Sequence, residues 1–419
     1  MNKITKLQNG ITLQIINDKK FKTAAISVNF INKLSKETAT INALLPYVLK
    51  RGCEKIPETL ELNRYLDELY ASKISCNVSK SGDNQIISLT GITVSDIYAK
   101  NDAPFSKLIQ LIYDIIYNPY LPDGKFDSLY IEREKENMKL FIESIKNDKR
   151  EYARKRVIEE MFENSPYSLY AYGDVESLSK ITSEELYSFY ETNFKNSIVN
   201  IVVAGAVNET AVLTQLSELF GNRNSNIEMN QIKTSAIRNE VKTVTEPTDV
   251  TQSKLAIGYK TEITRNHPLY FGMLLFDNLF GGSVHSKLFL NVREKLSLAY
   301  YASSRYNSYK GFLVVDSGIE TKNYEKAKNE INKQLDEMKK GNFTDKDIEF
   351  TKLALTNNYK SAKDSLSSLL NYCSSTQLVE KFIEIDEAIE MINKTSREEI
   401  ISAAQSVKPD TIYLLKGRD

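Results

Sequence analysis

Histidine and cysteine are scarce in this chain, with 2 and 3 copies in 419 residues. Structural and catalytic zinc sites draw on these two side chains together with carboxylates. His267 and His285 are too far apart to ligate one ion from neighbouring helical turns. Cys53, Cys76 and Cys373 form no CxxC pair and are odd in number, which excludes a disulfide framework and a cysteine-rich metal site. Three reduced thiols in a reducing compartment is the expectation, although Cys53 and Cys76 would pair if two strands brought them together. Net charge is lacking too, because 55 Lys and Arg balance 55 Asp and Glu. No global field draws the chain to nucleic acid or to an anionic membrane. No apolar run is long enough to cross a bilayer. The first twenty residues, MNKITKLQNGITLQIINDKK, have neither the apolar stretch nor the cleavage site of a secretory signal. A cytoplasmic location is expected, with no nucleic-acid and no membrane partner.

What is present is an ordinary globular composition, 41% hydrophobic and 26% charged, over a length that calls for more than one domain. Asn9-Gly10 between alternating apolar residues predicts a hairpin. Strand patterns at 23–32 and 85–91 bracket helical patterns at 37–49 and 60–69. Amphipathic helices are predicted over 104–116, 124–161 and 182–193, the last opened by a capping-box sequence, TSEEL. The buried strand IVNIVVAGAV follows at 198–207. The order then repeats: strand 254–260, helices 267–279 and 283–295, strands 299–306 and 311–318, helices 324–338 and 345–370, strand 411–415. The polar stretch 222–251 between the halves has linker composition. The repeat predicts an α+β fold of two duplicated domains, 1–221 and 252–419, each a mostly antiparallel sheet covered by helices on one face. Two such domains are expected to face each other across a cavity, where ligands commonly bind.

One stretch stands out, GGSVHSKLFLNVREKLSLAYYASSRY at 281–306. It sets a buried-looking Arg293 and Tyr300 on either side of a helix-to-strand turn, after the Gly281-Gly282 pair. From spacing alone, an Arg lying over a neighbouring helix and a Tyr filling the core account for the pattern better than a substrate role does. Set in the duplicated layout, the stretch resembles the second half of the pitrilysin-like (inverzincin) peptidases: a Gly pair, Ser-x-Leu on a helix, Arg-Glu-Lys, a short turn and Leu-Ala-Tyr. REKENMKLFIESI at 133–145, SPYSLYAYGDVESLSKITSEELYSFYETNF and IVVAGAV resemble first-half segments of the same family, so the likeness runs almost the whole length.

The family's active members carry HxxEH on a first-half helix, two zinc-binding His and a Glu base. Aligned on the turn at Lys50-Arg51-Gly52-Cys53, the motif positions here are Ala43, Leu44, Leu45, Pro46 and Tyr47. Both imidazoles and the base are absent. The resemblance leaves Glu143 as the one surviving ligand position, beside Glu136; on so charged a helix, a solvated face explains both. No catalytic residue and no bound metal is therefore expected in this chain. In relatives that work as pairs, the second-half Arg and Tyr hydrogen-bond peptide carbonyls while a partner supplies zinc and attack. The resemblance thus implies substrate-binding roles for Arg293 and Tyr300, with Gly281 and Gly282 permitting close backbone approach; Tyr301 and Tyr306 are alternatives for the aromatic. It implies a partner as well, a homologous subunit with an intact HxxEH motif, and a peptide or small protein as substrate. A peptide-binding or structural homodimer is the other reading.

Overall fold

Two sheets organise the chain in the computed structural model, which describes residues 4–100, 102–222, 225, 229–376, 379 and 382–418. The first contains β1 (Ile4–Gln8), β2 (Ile11–Asn17), β3 (Thr23–Lys33), β4 (Lys73–Ser81), β5 (Asn84–Val94) and β6 (Ile198–Gly205), in the order β1-β2-β6-β3-β5-β4. The second contains β7 (Lys242–Pro247), β8 (Ser253–Lys260), β9 (Ala299–Asn307), β10 (Phe312–Ile319) and β11 (Lys408–Lys416), in the order β7-β11-β8-β10-β9. β2 and β6 run parallel, as do β7 and β11, and every other pair is antiparallel. Removing β1 from the first sheet leaves the topology of the second. The expected duplication is therefore visible strand by strand, and β9 holds the edge position that β4 holds in the first sheet. The predicted hairpin joins β1 to β2, with Gly10 at φ 74°, a conformation glycine adopts without steric cost.

The periodicity of the central strands explains the layering. On β3, Ala24, Ile26, Val28 and Phe30 join one apolar core with the helix Ala39–Leu49 and the helix Pro104–Tyr117. On the second sheet, Leu255, Ile257, Tyr259, Leu313 and Val315 do the same with Met273, Phe276 and Leu335. The capping box at Thr182 forms as the sequence predicts, with Glu185 closing it.

The predicted long helices are each two. The 124–161 pattern divides into Ser128–Ser144 and Lys149–Met161, and the 345–370 pattern into Asp345–Lys363 and Leu366–Thr376. Both breaks carry a local start signal: the Asp148 carboxylate accepts from the N–H groups of Arg150 and Glu151, and Ser365 Oγ from that of Ser368. At these breaks the chain changes body. One compact unit comprises 1–142, 169–231 and 362–378; the other comprises 143–168, 232–361 and 379–419. Each sheet thus has helices on both faces rather than the single face expected, the second face being covered by a helix from the other half of the sequence. This partition cuts across a division into 1–221 and 252–419. The stretch read as linker, 222–251, contributes β7 to the second sheet; residues 223–224 and 226–228 of it lie outside the described residues. β7 alternates Lys, Thr, Val, Thr, Glu and Pro and, among the described residues, pairs on one side only, so its apolar signal is weak. β4 escaped the sequence pattern for the same reason.

Candidate functional site

The helix Ala39–Leu49 carries the positions where the family motif would stand, and it is packed as core. Ala43, Leu44 and Leu45 are fully buried, and Pro46 sits inside the helix. The Pro46 carbonyl accepts a bond from Cys76 Sγ on β4 (3.4 Å), and burial pushes the Cys76 thiol up to about 12. Tyr47, half-buried, points to Tyr172, their hydroxyls 3.1 Å apart, and burial raises its phenol further still. The neighbouring helix, Ser128–Ser144, presents Glu134, Asn137, Met138 and Phe141 to a pocket of about 170 Å³ that also includes Tyr47 and Tyr172. Phe141 packs on Tyr172 with ring centroids 4.7 Å apart.

The carboxylate in this pocket is Glu134, not Glu136 or Glu143. Both of the latter are exposed, as a solvated helix face requires. Glu134 is buried and held by Arg51: Nε donates to Oε1 at 2.5 Å, Nη2 approaches the same oxygen, and Asn137 Nδ2 donates to Oε2 at 3.3 Å. The Arg51 guanidinium also lies 5.9 Å from the centre of the Tyr130 ring. A guanidinium therefore balances the one carboxylate buried in this pocket. Zinc catalysis takes three protein donors. This site has one carboxylate, already bound, with Ala, Pro and Tyr at the motif's His, Glu and His positions; the residues present do not fit zinc. Among the described residues no three of His, Cys, Asp and Glu come together in a way that would hold a metal. His267 Nδ1 accepts from the Leu269 N–H (3.1 Å), the capping role its place before Pro268 suggests, and His285 is exposed beside Phe350. Cys53, Cys76 and Cys373 are all outside disulfides.

The second unit builds the Arg/Tyr segment from strained, irregular backbone. Residues Asn278–Gly282 and Leu288–Lys295 wind as π-helix, wider than an α-turn and frequent at functional positions. The predicted helix 283–295 thus forms only from Leu288. The turn after it puts Ser297 at φ 48°, rare for a residue with a side chain. The Ser297 and Leu298 N–H groups donate back to the carbonyls of Arg293 and Val292 (3.1 and 3.0 Å). β9 then pairs with β10 through a bulge: Ala299 stands opposite Ile319 and Tyr301 opposite Gly318, leaving Tyr300 as the extra residue. A bulge re-aims a side chain. Tyr300 is 55% exposed on this edge strand, and the Arg293 side chain is 43% exposed.

Neither residue is buried, contrary to what the pattern suggests. Arg293 lies over the Phe289 ring, 4.6 Å from its centre, with Glu294 Oε1 at 3.4 Å from Nε. The alternatives Tyr301 and Tyr306 point elsewhere. Tyr301 lies under the Arg150 guanidinium (4.2 Å), and the Tyr306 hydroxyl donates to the Ile263 carbonyl (2.7 Å).

Of the glycine pair, Gly281 is the one the backbone requires. A Cβ there would come within 2.5 Å of the Ser304 backbone nitrogen, whereas at Gly282 the nearest atom is 3.2 Å away. Asp277, which the sequence did not single out, ties the same helix end to β9: it accepts from Ser304 Oγ at 2.5 Å and from the Tyr306 N–H at 3.2 Å. Burial pushes its carboxyl up to about 6 despite these bonds.

Comparison with known proteins agrees with this geometry. The family profile described as "Peptidase M16 inactive domain" matches residues 180–355. The probable inactive metalloprotease YmfF of Bacillus subtilis is 35% identical over 420 residues, covering 100% of this chain and 99% of that protein. The uncharacterized zinc protease YmxG of the same organism is 21% identical, covering 96% and 94%. A conserved protein from Enterococcus faecalis V583 has the same fold, with a TM-score of 0.92 and 31% identity over 100% of this chain and 99% of that one. A chain 35% identical from end to end to a probable inactive metalloprotease of this family, with core residues where the HxxEH motif would stand, belongs to the M16 peptidase family as a homologue without that motif.

Proposed function

We propose that this chain is the substrate-holding, non-catalytic subunit of a two-chain zinc peptidase in the cytoplasm. Arg293 and Tyr300 grip carbonyl oxygens of a bound peptide, and a homologous partner with an intact HxxEH motif supplies the zinc and the attack. The observation carrying this reading is Tyr300, the extra residue of a bulge on an edge strand, exposed beside a segment that also exposes Arg293. Arg offers a fixed fork of charged donors and Tyr a phenolic donor on a stiff arm, and both bond a carbonyl without reading side chains. The open edge of β9 has backbone groups to pair with an extended peptide. A partner is in keeping with the relatives: B. subtilis has a probable inactive metalloprotease and a zinc protease, each alike to this chain over nearly its whole length.

The test mixes the chain with an HxxEH homologue and follows peptide hydrolysis. Losing a charge-assisted bond to a developing oxyanion costs on the order of 3 kcal/mol, about a hundredfold in rate. Arg293→Ala is expected to lower turnover by about that factor and Tyr300→Phe by less, with assembly unchanged. Full activity from the homologue alone, or unchanged rates with both substitutions, overturns the reading.

A further inference from the structure

Two cross-strand rows cross the face of the first sheet that lies away from its main core. In one, Thr12, Asn200, Asn29 and Ser88 stand opposite one another on β2, β6, β3 and β5. In the other stand Gln14, Val202, Ser27 and Thr90. Only Val202 among these is apolar, yet Gln14, Ser27, Asn29 and Asn200 are buried. Their cover is the helix Leu366–Thr376, which packs on β3 and β6 and turns Leu366, Leu369, Leu370 and Cys373 inward.

Several hydrogen bonds run within the rows. Thr12 Oγ1 donates to Asn200 Oδ1 (2.8 Å), Ser27 and Ser88 Oγ donate to Asn29 Oδ1 (3.0 and 2.6 Å), and Thr90 Oγ1 donates to Ser27 Oγ (3.3 Å). Asn29 Nδ2 donates to the Asn200 carbonyl (3.1 Å) and, reaching the helix, to Ser374 Oγ (3.0 Å). Removing the helix would leave these in-sheet bonds intact. Lifting the helix would expose Leu366, Leu369, Leu370 and Cys373 on the helix itself, but in these two rows of the sheet it would uncover chiefly groups that water can solvate.

The second sheet shows the opposite arrangement. There the helix Lys149–Met161 sits on Ala256, Phe312, Val314, Tyr413 and Leu415 through Ala153, Val157 and Met161. Gly258 leaves room for the Met161 sulfur, and Arg150 and Arg154 both pair with the buried Asp316. Uncovering that face would expose apolar surface and strand a buried charge, which is costly.

We propose that the Leu366–Thr376 helix is a releasable cover, which leaves its polar sheet face in a local opening while the sheet beneath stays folded. Cys373, on its inward side, is a built-in reporter, and Cys53, in the main core on the other side of the sheet, is the comparator. The intact chain is treated with N-ethylmaleimide in native buffer, and the labelled thiols are quantified by peptide mapping. Cys373 is expected to react about a hundredfold faster than Cys53, since a local opening is more populated than global unfolding. The urea dependence of its rate should be shallower than that of Cys53, because a local opening exposes less surface than global unfolding. Ser374→Ala removes the bond to Asn29 and is expected to speed Cys373 labelling about fivefold with no change at Cys53. Amide exchange should show β3 and β6 protected throughout. Labelling of Cys373 in step with Cys53, a urea dependence as steep as that of Cys53, or loss of protection in β3 and β6 on the same timescale overturns the proposal.

Discussion

Arg51 and Glu134 offer the sharpest test of how this fold holds a charge buried beside the helix Ala39–Leu49. The Glu134 side chain is 10% exposed and that of Arg51 21%, so the pair is well shielded from water. At an effective dielectric of 20, two unit charges a few ångströms apart attract by roughly 4 kcal/mol. Holding both out of water offsets part of that gain, but the offset is not recovered when only one partner is removed. Arg51→Met leaves Glu134 with Asn137 as its remaining bonded neighbour and is expected to cost about 3 kcal/mol. Glu134→Leu strands the guanidinium instead and should cost about 2 kcal/mol, because Arg51 keeps more contact with solvent. The double substitution is expected to be close to wild type, giving a coupling energy of about 5 kcal/mol in the cycle, the sum of the two single costs. Thermal unfolding of the four proteins is the assay, and about 3 kcal/mol corresponds to a shift of roughly 6–12 °C for a unit of this size. Additive single effects would refute the argument and leave the pair as two residues that merely touch.

Three further outcomes are expected. The Asp277 carboxyl, raised to about 6 by burial, binds its proton more tightly folded than unfolded, so its contribution to stability is largest at low pH and is lost as pH rises through 6. The stability of wild type relative to Asp277→Asn should therefore fall by about 2 kcal/mol between pH 4.5 and 7.5, and a flat difference by denaturant titration would contradict the assignment. Gly281→Ala drives a methyl group into the Ser304 backbone, so it should lower stability by about 1–3 kcal/mol, whereas Gly282→Ala should cost less than 1 kcal/mol; equal effects in the same titration would count against the close approach. Purified protein should contain no stoichiometric zinc by elemental analysis and keep its melting temperature in EDTA, and about one tightly held zinc per chain would show that a donor set had been overlooked.

That Ala43, Pro46 and Tyr47 bring no His, Cys or carboxylate to the motif positions was legible once the family resemblance had located those positions, because residue type needs no structure to be read. The strands with one apolar face were legible as well, as were the Asn9-Gly10 turn and the Thr182 cap, because each is a local pattern with a local cause. Which carboxylate entered the pocket was not legible. Ser128–Ser144 is charged nearly all round, and the entry of Ile131 and Met138 into the first core set the phase that buries Glu134 and exposes Glu136 and Glu143. Nor was the fate of Tyr300, since a bulge is a one-residue mismatch between two strands and is defined only by their pairing. The exchange of helices at 145–148 and 364–365 was equally hidden: a capped break says that a helix restarts, while the sheet it then covers is chosen by shape and polarity far away in sequence.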